Sequence, residues 1–186
     1  MNRILLAIMV AVGISLTACA QKAENKGMDG AKILVAYFSA TGTTESVAEK
    51  IADATGGQLY EIVPEKEYTS ADLNWNDDRS RSSVEMNNPE SRPSLGGNPV
   101  DIAAYDVIFI GYPIWWDQAP RIINTFIESH DLKGKTVIPF ATSGGSGISN
   151  SVEVLRSAYP GLNIQDGKLL NGASSASIRS WLDTLK

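Results

Sequence analysis

Hydroxyl side chains crowd one short run of this 186-residue chain: Ser39, Thr41, Thr43 and Thr44 stand around Ala40 and Gly42, just ahead of a helical pattern. Backbone N–H groups at a helix start carry partial positive charge, and short hydroxyl side chains add donors, so such a run suits a phosphate without help from Lys or Arg. Ordinary N-capping uses one hydroxyl, whereas four of these six residues carry one, which favours the phosphate. The run lacks the GxxxxGK[ST] spacing of a nucleoside-triphosphate loop. A second segment, Pro113, Ile114, Trp115 and Trp116, sets two indoles side by side on a loop. They either stack on a flat aromatic ligand or fill core. A third, Thr142, Ser143, Gly144 and Gly145, continues through Ser146 and Gly147. It is either a loop whose amides approach a ligand closely or a flexible turn.

Few other chemistries have residues to carry them. The one histidine, His130, lies at a predicted helix end before Asp131 and is read as partner to the helix C-terminus. The one cysteine, Cys19, leaves no disulfide framework, no CxxC pair and no thiolate cluster. Hydrolysis and metal catalysis are thereby disfavoured, and no catalytic side chain and no metal ligand is assigned. The formal net charge of −5 argues against non-specific nucleic-acid binding.

The elements that must position these loops alternate along the chain. Residues 32–38, KILVAYF, form a continuous apolar run of the kind found in a strand buried on both faces. Val47, Ala48, Ile51 and Ala52 fall at helical spacing over 44–54, and QLYEIV at 58–63 follows the Gly56-Gly57 stop. Then come a strand over 105–113 ending in a Gly-Tyr-Pro turn, a helix over 120–129, a strand over 135–143 and a helix over 149–158. A strand near 164–170 and a helix near 175–185 close the series. Strand and helix alternation predicts a doubly wound parallel sheet with helices on both faces, and ligands beyond the carboxyl ends of its strands. All three loops lie at such ends. Residues 64–101, rich in Asn, Asp, Ser, Arg and Pro, are an insert with at most a short helix near 77–86, read either as a functional flap or as a decorated crossover.

The start of the chain reads as an address. Asn2 and Arg3 precede an apolar run from Ile4 to Leu16, a signal-peptide pattern shorter than a spanning helix. Leu16, Thr17, Ala18 and Cys19 resemble the lipobox of bacterial lipoproteins, which implies cleavage after residue 18 and lipidation of Cys19. The expected organisation is a signal peptide at 1–18, a lipid-anchored linker at 19–31 and one domain at 32–186. The domain would then sit in the cell envelope outside the cytoplasm, held to the membrane by the lipid alone.

From Lys32 onward the chain resembles the flavodoxins, and among them bacterial flavodoxin-like proteins with YPIWW and TSGGSG loops. Ser39 to Thr44 matches the family's phosphate loop, [ST]-x-T-G-x-T, at every position. The resemblance implies a five-stranded sheet of order 2-1-3-4-5, FMN as cofactor, Pro113 to Trp116 framing the flavin ring, and Thr142 to Gly145 meeting its pyrimidine edge. It departs from the family pattern at Asp117, where Gly is expected after the paired Trp. An electron carrier working between redox partners is the expected function, with a partner protein or a small quinone-like acceptor. An FMN-dependent NAD(P)H or quinone reductase is the alternative, for which Arg79, Arg81 and Arg92 would be candidate nicotinamide-phosphate ligands, although a solvated charged loop is the favoured reading of these three. A surface protein that keeps the fold with another phosphate ligand, or none, is the third.

Overall fold

A computed structural model of the protein describes residues 28 and 30–185. The expected signal peptide, the lipobox with Cys19 and most of the linker lie outside the described residues. Among the described residues no helix is long and apolar enough to cross a membrane.

The chain runs β1 (Ile33–Tyr37), α1 (Thr43–Thr55), β2 (Gln58–Glu61), α2 (Arg81–Asn87), a one-turn 3₁₀ helix (Ile102–Ala104), β3 (Val107–Pro113) and α3 (Arg121–Glu128). It continues through β4 (Thr136–Thr142), α4 (Ser149–Ala158), β5 (Asn163–Ile164), β6 (Lys168–Leu169) and α5 (Ser175–Leu182). Every pairing between these strands is parallel, in the order β2-β1-β3-β4-β5 with β6 also on β4, and the order is the one implied by the resemblance. Alternate residues of the central strands feed two cores, one per sheet face. Leu34, Ala36, Ile108 and Ile110 pack with α3 and α4 through Ile122, Phe126, Val152 and Leu155. Val35, Tyr37, Phe109 and Phe140 pack with α1 and α5 through Val47, Ile51, Ile178 and Trp181. That division explains why these strands read as unbroken apolar runs.

Two local expectations need correction. The Gly-Tyr-Pro stretch is the end of β3 and not a turn: Gly111 pairs with Phe140 of β4, and a Cβ at Gly111 would stand 2.1 Å from the Phe140 ring. The single last strand is split. Val137 to Phe140 on β4 spans three steps, while their partners Ile164 to Lys168 span four, so a one-residue bulge faces Pro139. Gln165 N–H donates to Val137 O (2.8 Å), and the next bond would come from the N–H of residue 139, which proline lacks.

The insert is an ordered cover. It is stitched back on itself by Glu65 N–H to Ser94 O (2.9 Å) and Gly96 N–H to Val63 O (2.8 Å). The buried Arg121 at the start of α3 then receives α2: its guanidinium donates to the carbonyls of Met86 (3.0 Å) and of Glu85 (3.4 Å), the latter also accepting Asn88 N–H (3.2 Å) at the helix end. Its third contact is Gln118 Oε1 (3.2 Å), so one side chain ties the cover to the loop that follows β3.

Candidate functional site

At the carboxyl end of the sheet the three loops and the cover enclose an open cavity of about 730 Å³. Ser39, Ala40, Thr41, Thr43 and Thr44 line it from the loop after β1, Pro113 to Trp116 from that after β3, and Thr142 to Gly144 from that after β4. Two predicted residues do not line it. Gly42 caps α1 with φ 80°, a left-handed turn that aims the helix start at the cavity. Gly145 gives its N–H to Ser143 Oγ (3.1 Å), which accepts Ser146 N–H as well (2.8 Å), so the third loop is braced.

The phosphate-type loop has the features of an anion cradle. The first N–H groups of α1 have no carbonyl one turn back and so face the cavity unpaired within the helix. Ser39 Oγ is buried with no hydrogen-bond partner, the one such side-chain atom among the described residues. An unmade bond of this kind costs roughly 1–3 kcal/mol, and a ligand oxygen would relieve it. Thr44 is committed elsewhere: its Oγ1 lies 2.9 Å from Thr142 Oγ1 in a buried bond that fixes the first loop to the third.

The two indoles divide the roles that sequence left open. Trp115 is partly buried, edge-on to Phe38 (5.6 Å) and to Tyr68 of the cover (5.3 Å), and keeps the rest of its surface on the cavity. Trp116 stays 42 % exposed at the cavity. It stands in a tight turn closed by reciprocal bonds, Trp115 N–H to Gln118 O (3.0 Å) and Gln118 N–H to Trp115 O (2.9 Å), with φ 47° at Trp116 and 61° at Asp117. Positive φ at both central residues is the pattern that prefers Asn-Gly or Asp-Gly, which explains why Gly is expected at 117. Asn150 Nδ2 holds the turn by donating to Asp117 O (3.0 Å).

Five lining residues escaped sequence reasoning. Leu73, Trp75 and Ser82 come from the cover, and Asn171 and Gly172 from the loop after β6. Asn171 had a usable signal, an Asn-Gly pair at the end of a predicted strand; its amide holds both the N–H (2.8 Å) and the carbonyl of Ser143. No lining residue is charged or a histidine. Two cations of the cover are engaged outside the cavity: Arg81 pairs with Glu85 (2.6 Å) and lies over the Tyr68 ring (3.9 Å), and Arg92 pairs with Glu128 (2.7 Å). Arg81 and Arg92 are therefore structural ion pairs, not a solvated loop, and Arg79 alone is nearly fully exposed. Burial, reinforced by the bond it donates to Glu85, pushes the Tyr68 hydroxyl far above its usual range, so it stays protonated. His130 does what its position implied, with Nδ1 2.8 Å from Phe126 O at the end of α3. Among the described residues no cluster of His, Cys, Asp and Glu is arranged to hold a metal.

No curated protein matches the chain. A candidate flavoprotein from Bacteroides eggerthii is 64 % identical and superposes with a TM-score of 0.81, covering 83 % of this chain and 98 % of its own. One from Bacteroides uniformis is 58 % identical, also with a TM-score of 0.81, covering 83 % and 99 %. A flavoprotein of Lactobacillus acidophilus solved in complex with FMN is 25 % identical with a TM-score of 0.62, covering 75 % and 93 %. The flavodoxin family model matches residues 32–185, and with that match and the 2-1-3-4-5 sheet the chain belongs to the flavodoxin family.

Proposed function

We propose that the protein binds FMN in this cavity and carries electrons between redox partners. The observation that carries the reading is a cavity with no charged lining residue and an orphaned buried hydroxyl, Ser39 Oγ, beside a helix start. The residues present fit the cofactor. Ser39, Thr41 and Thr43 with the α1 amides would hold its phosphate, and Trp116 with Pro113 and Ile114 would face its ring. The flavin, when bound, supplies one- and two-electron chemistry. The lining offers no side chain able to move a proton in the neutral range, so the protein's part is to bind, orient and shield. The FMN complex of the Lactobacillus acidophilus protein supports the choice of ligand.

The reductase reading remains the alternative, because the cavity continues beyond Trp116 to the cover. Anaerobic mixing of the FMN-loaded protein with NADH or NADPH separates the two. Fast bleaching of the flavin band favours the reductase, whereas bleaching by dithionite alone favours the carrier. We place the protein at the cell envelope, lipidated on Cys19, on the strength of the Leu16-Thr17-Ala18-Cys19 motif. Membrane fractionation of wild type and Cys19→Ser tests that placement, which fails if both fractionate alike.

A further inference from the structure

The loop after β4 is held by a side chain from the far end of β6. The β4–β6 ladder pairs Phe140 with Lys168 and Ala141 with Leu169, and Leu170 N–H donates to Ala141 O (2.8 Å). Backbone groups alternate sides along a strand, so the next N–H and C=O facing β6 are those of Ser143. No backbone meets them, because at Gly172 (φ 58°) the chain turns off toward α5. The Asn171 carboxamide meets them instead: Ser143 N–H donates to Oδ1 (2.8 Å), and Nδ2 donates to the Ser143 carbonyl. A side-chain amide, with one acceptor and two donors, thus stands in for the next peptide of the ladder.

The clamp decides which donor the loop has left. Ser143 N–H is spent on Asn171, and Gly145 N–H (3.1 Å) and Ser146 N–H (2.8 Å) are spent on Ser143 Oγ. From Ser143 to Ser146, only Gly144 N–H has no hydrogen bond among the described residues, and Gly144 lines the cavity. That N–H belongs to the same planar peptide as the Ser143 carbonyl, and in a trans peptide the two point in opposite directions. Asn171, by holding the carbonyl, therefore aims Gly144 N–H away from itself. Without the clamp, a peptide followed by two glycines, Gly144 and Gly145, is free to rotate. Resting on the FMN reading, we propose that Asn171 is a positioning residue for the ring end of the cofactor: it fixes the 143–144 peptide so that Gly144 N–H is presented to a ring carbonyl.

The test is flavin binding to wild type, Asn171→Ala and Asn171→Asp, titrated with FMN and with riboflavin, with a melting curve for each protein at each pH. Asn171 is exposed, so all three should fold. Asn171→Ala should weaken FMN and riboflavin by the same factor, roughly fivefold or more, because the loss falls on the ring and not on the phosphate. Asn171→Asp keeps the acceptor for Ser143 N–H, but its carboxylate has no donor for the Ser143 carbonyl, and a proton restores one. The facing carbonyl disfavours the charged form and raises this carboxyl above its ordinary value of about 3.9. Riboflavin has no phosphate to titrate, so between about pH 4 and 8 its affinity should stay flat in wild type and recover in Asn171→Asp as pH falls. Lys50 of α1 reaches the same loop at Ala173 O (3.2 Å) and is common to all three proteins. Unchanged affinity in Asn171→Ala, a loss confined to FMN, or a loss in Asn171→Asp that is the same at every pH overturns the proposal. Failure of wild type to bind either flavin overturns the cofactor reading itself, and is seen before any variant is compared.

Discussion

Trp116 is a bulky residue with φ 47°, followed by Asp117 with φ 61°. Left-handed backbone costs a non-glycine residue roughly 1–2 kcal/mol. Alanine and glycine at position 116 remove the same indole, so a comparison of the two isolates the backbone. On ordinary backbone glycine is the poorer residue by about 0.5–1 kcal/mol. At this φ the left-handed penalty outweighs that entropy, so Trp116→Gly should be more stable than Trp116→Ala by about 0.5–1 kcal/mol. Urea unfolding with a shared m value measures the difference, equivalent to roughly 1–4 °C in Tm for a domain of this size. Both variants lose one aromatic face and should bind FMN alike, about 5- to 150-fold more weakly than wild type if stacking is worth roughly 1–3 kcal/mol as it is for nucleobases. An alanine variant as stable as the glycine variant, or more so, would refute the reasoning: the turn would not be left-handed at 116 in solution.

Ser39→Ala removes the orphaned hydroxyl, so the ligand-free protein should be unchanged or more stable by up to about 1–3 kcal/mol while FMN binding weakens and riboflavin binding does not; equal losses for both ligands would contradict the cradle. With no ionisable lining residue, FMN affinity should fall at a single step near pH 6, where the ligand's own phosphate takes up its second proton. Any second inflection, measured by titration across pH 5–9, would implicate a protein group. Glu128 is held below the usual carboxylate range chiefly by its bonds from Arg92, helped by Tyr159. A depressed folded value contributes stability above the unfolded value of about 4.3 that is lost as pH falls through it. Arg92→Gln should therefore lower Tm at pH 7 and narrow the difference between pH 7 and pH 4, by no more than about 1 kcal/mol because the pair is part-exposed.

Much of the fold was legible because each central strand is buried on both faces and so announces itself as an apolar run. The phosphate-type loop was legible for a local reason, hydroxyls clustered at a helix start. What escaped depends on partners distant in sequence. The split of the last strand follows from Pro139 on the neighbouring strand, a proline visible in the sequence whose effect falls on residues 165–167. The cover's order rests on Arg121, 35 residues beyond Met86, and nothing near either residue marks the pairing. Which of two adjacent tryptophans is free was settled by Phe38 and Tyr68 closing on Trp115. Trp75 looked like part of a polar insert, and only the cover's path brings it to the cavity.

The measurement that bears most directly on the account is a titration of the full-length protein with FMN and, separately, with riboflavin, followed by tryptophan fluorescence. The account predicts saturable quenching by FMN, with riboflavin at least about tenfold weaker because charge-assisted bonds to the phosphate, worth roughly 1.5–3 kcal/mol each, are missing. No quenching at high FMN, or equal affinity for the two ligands, would contradict it.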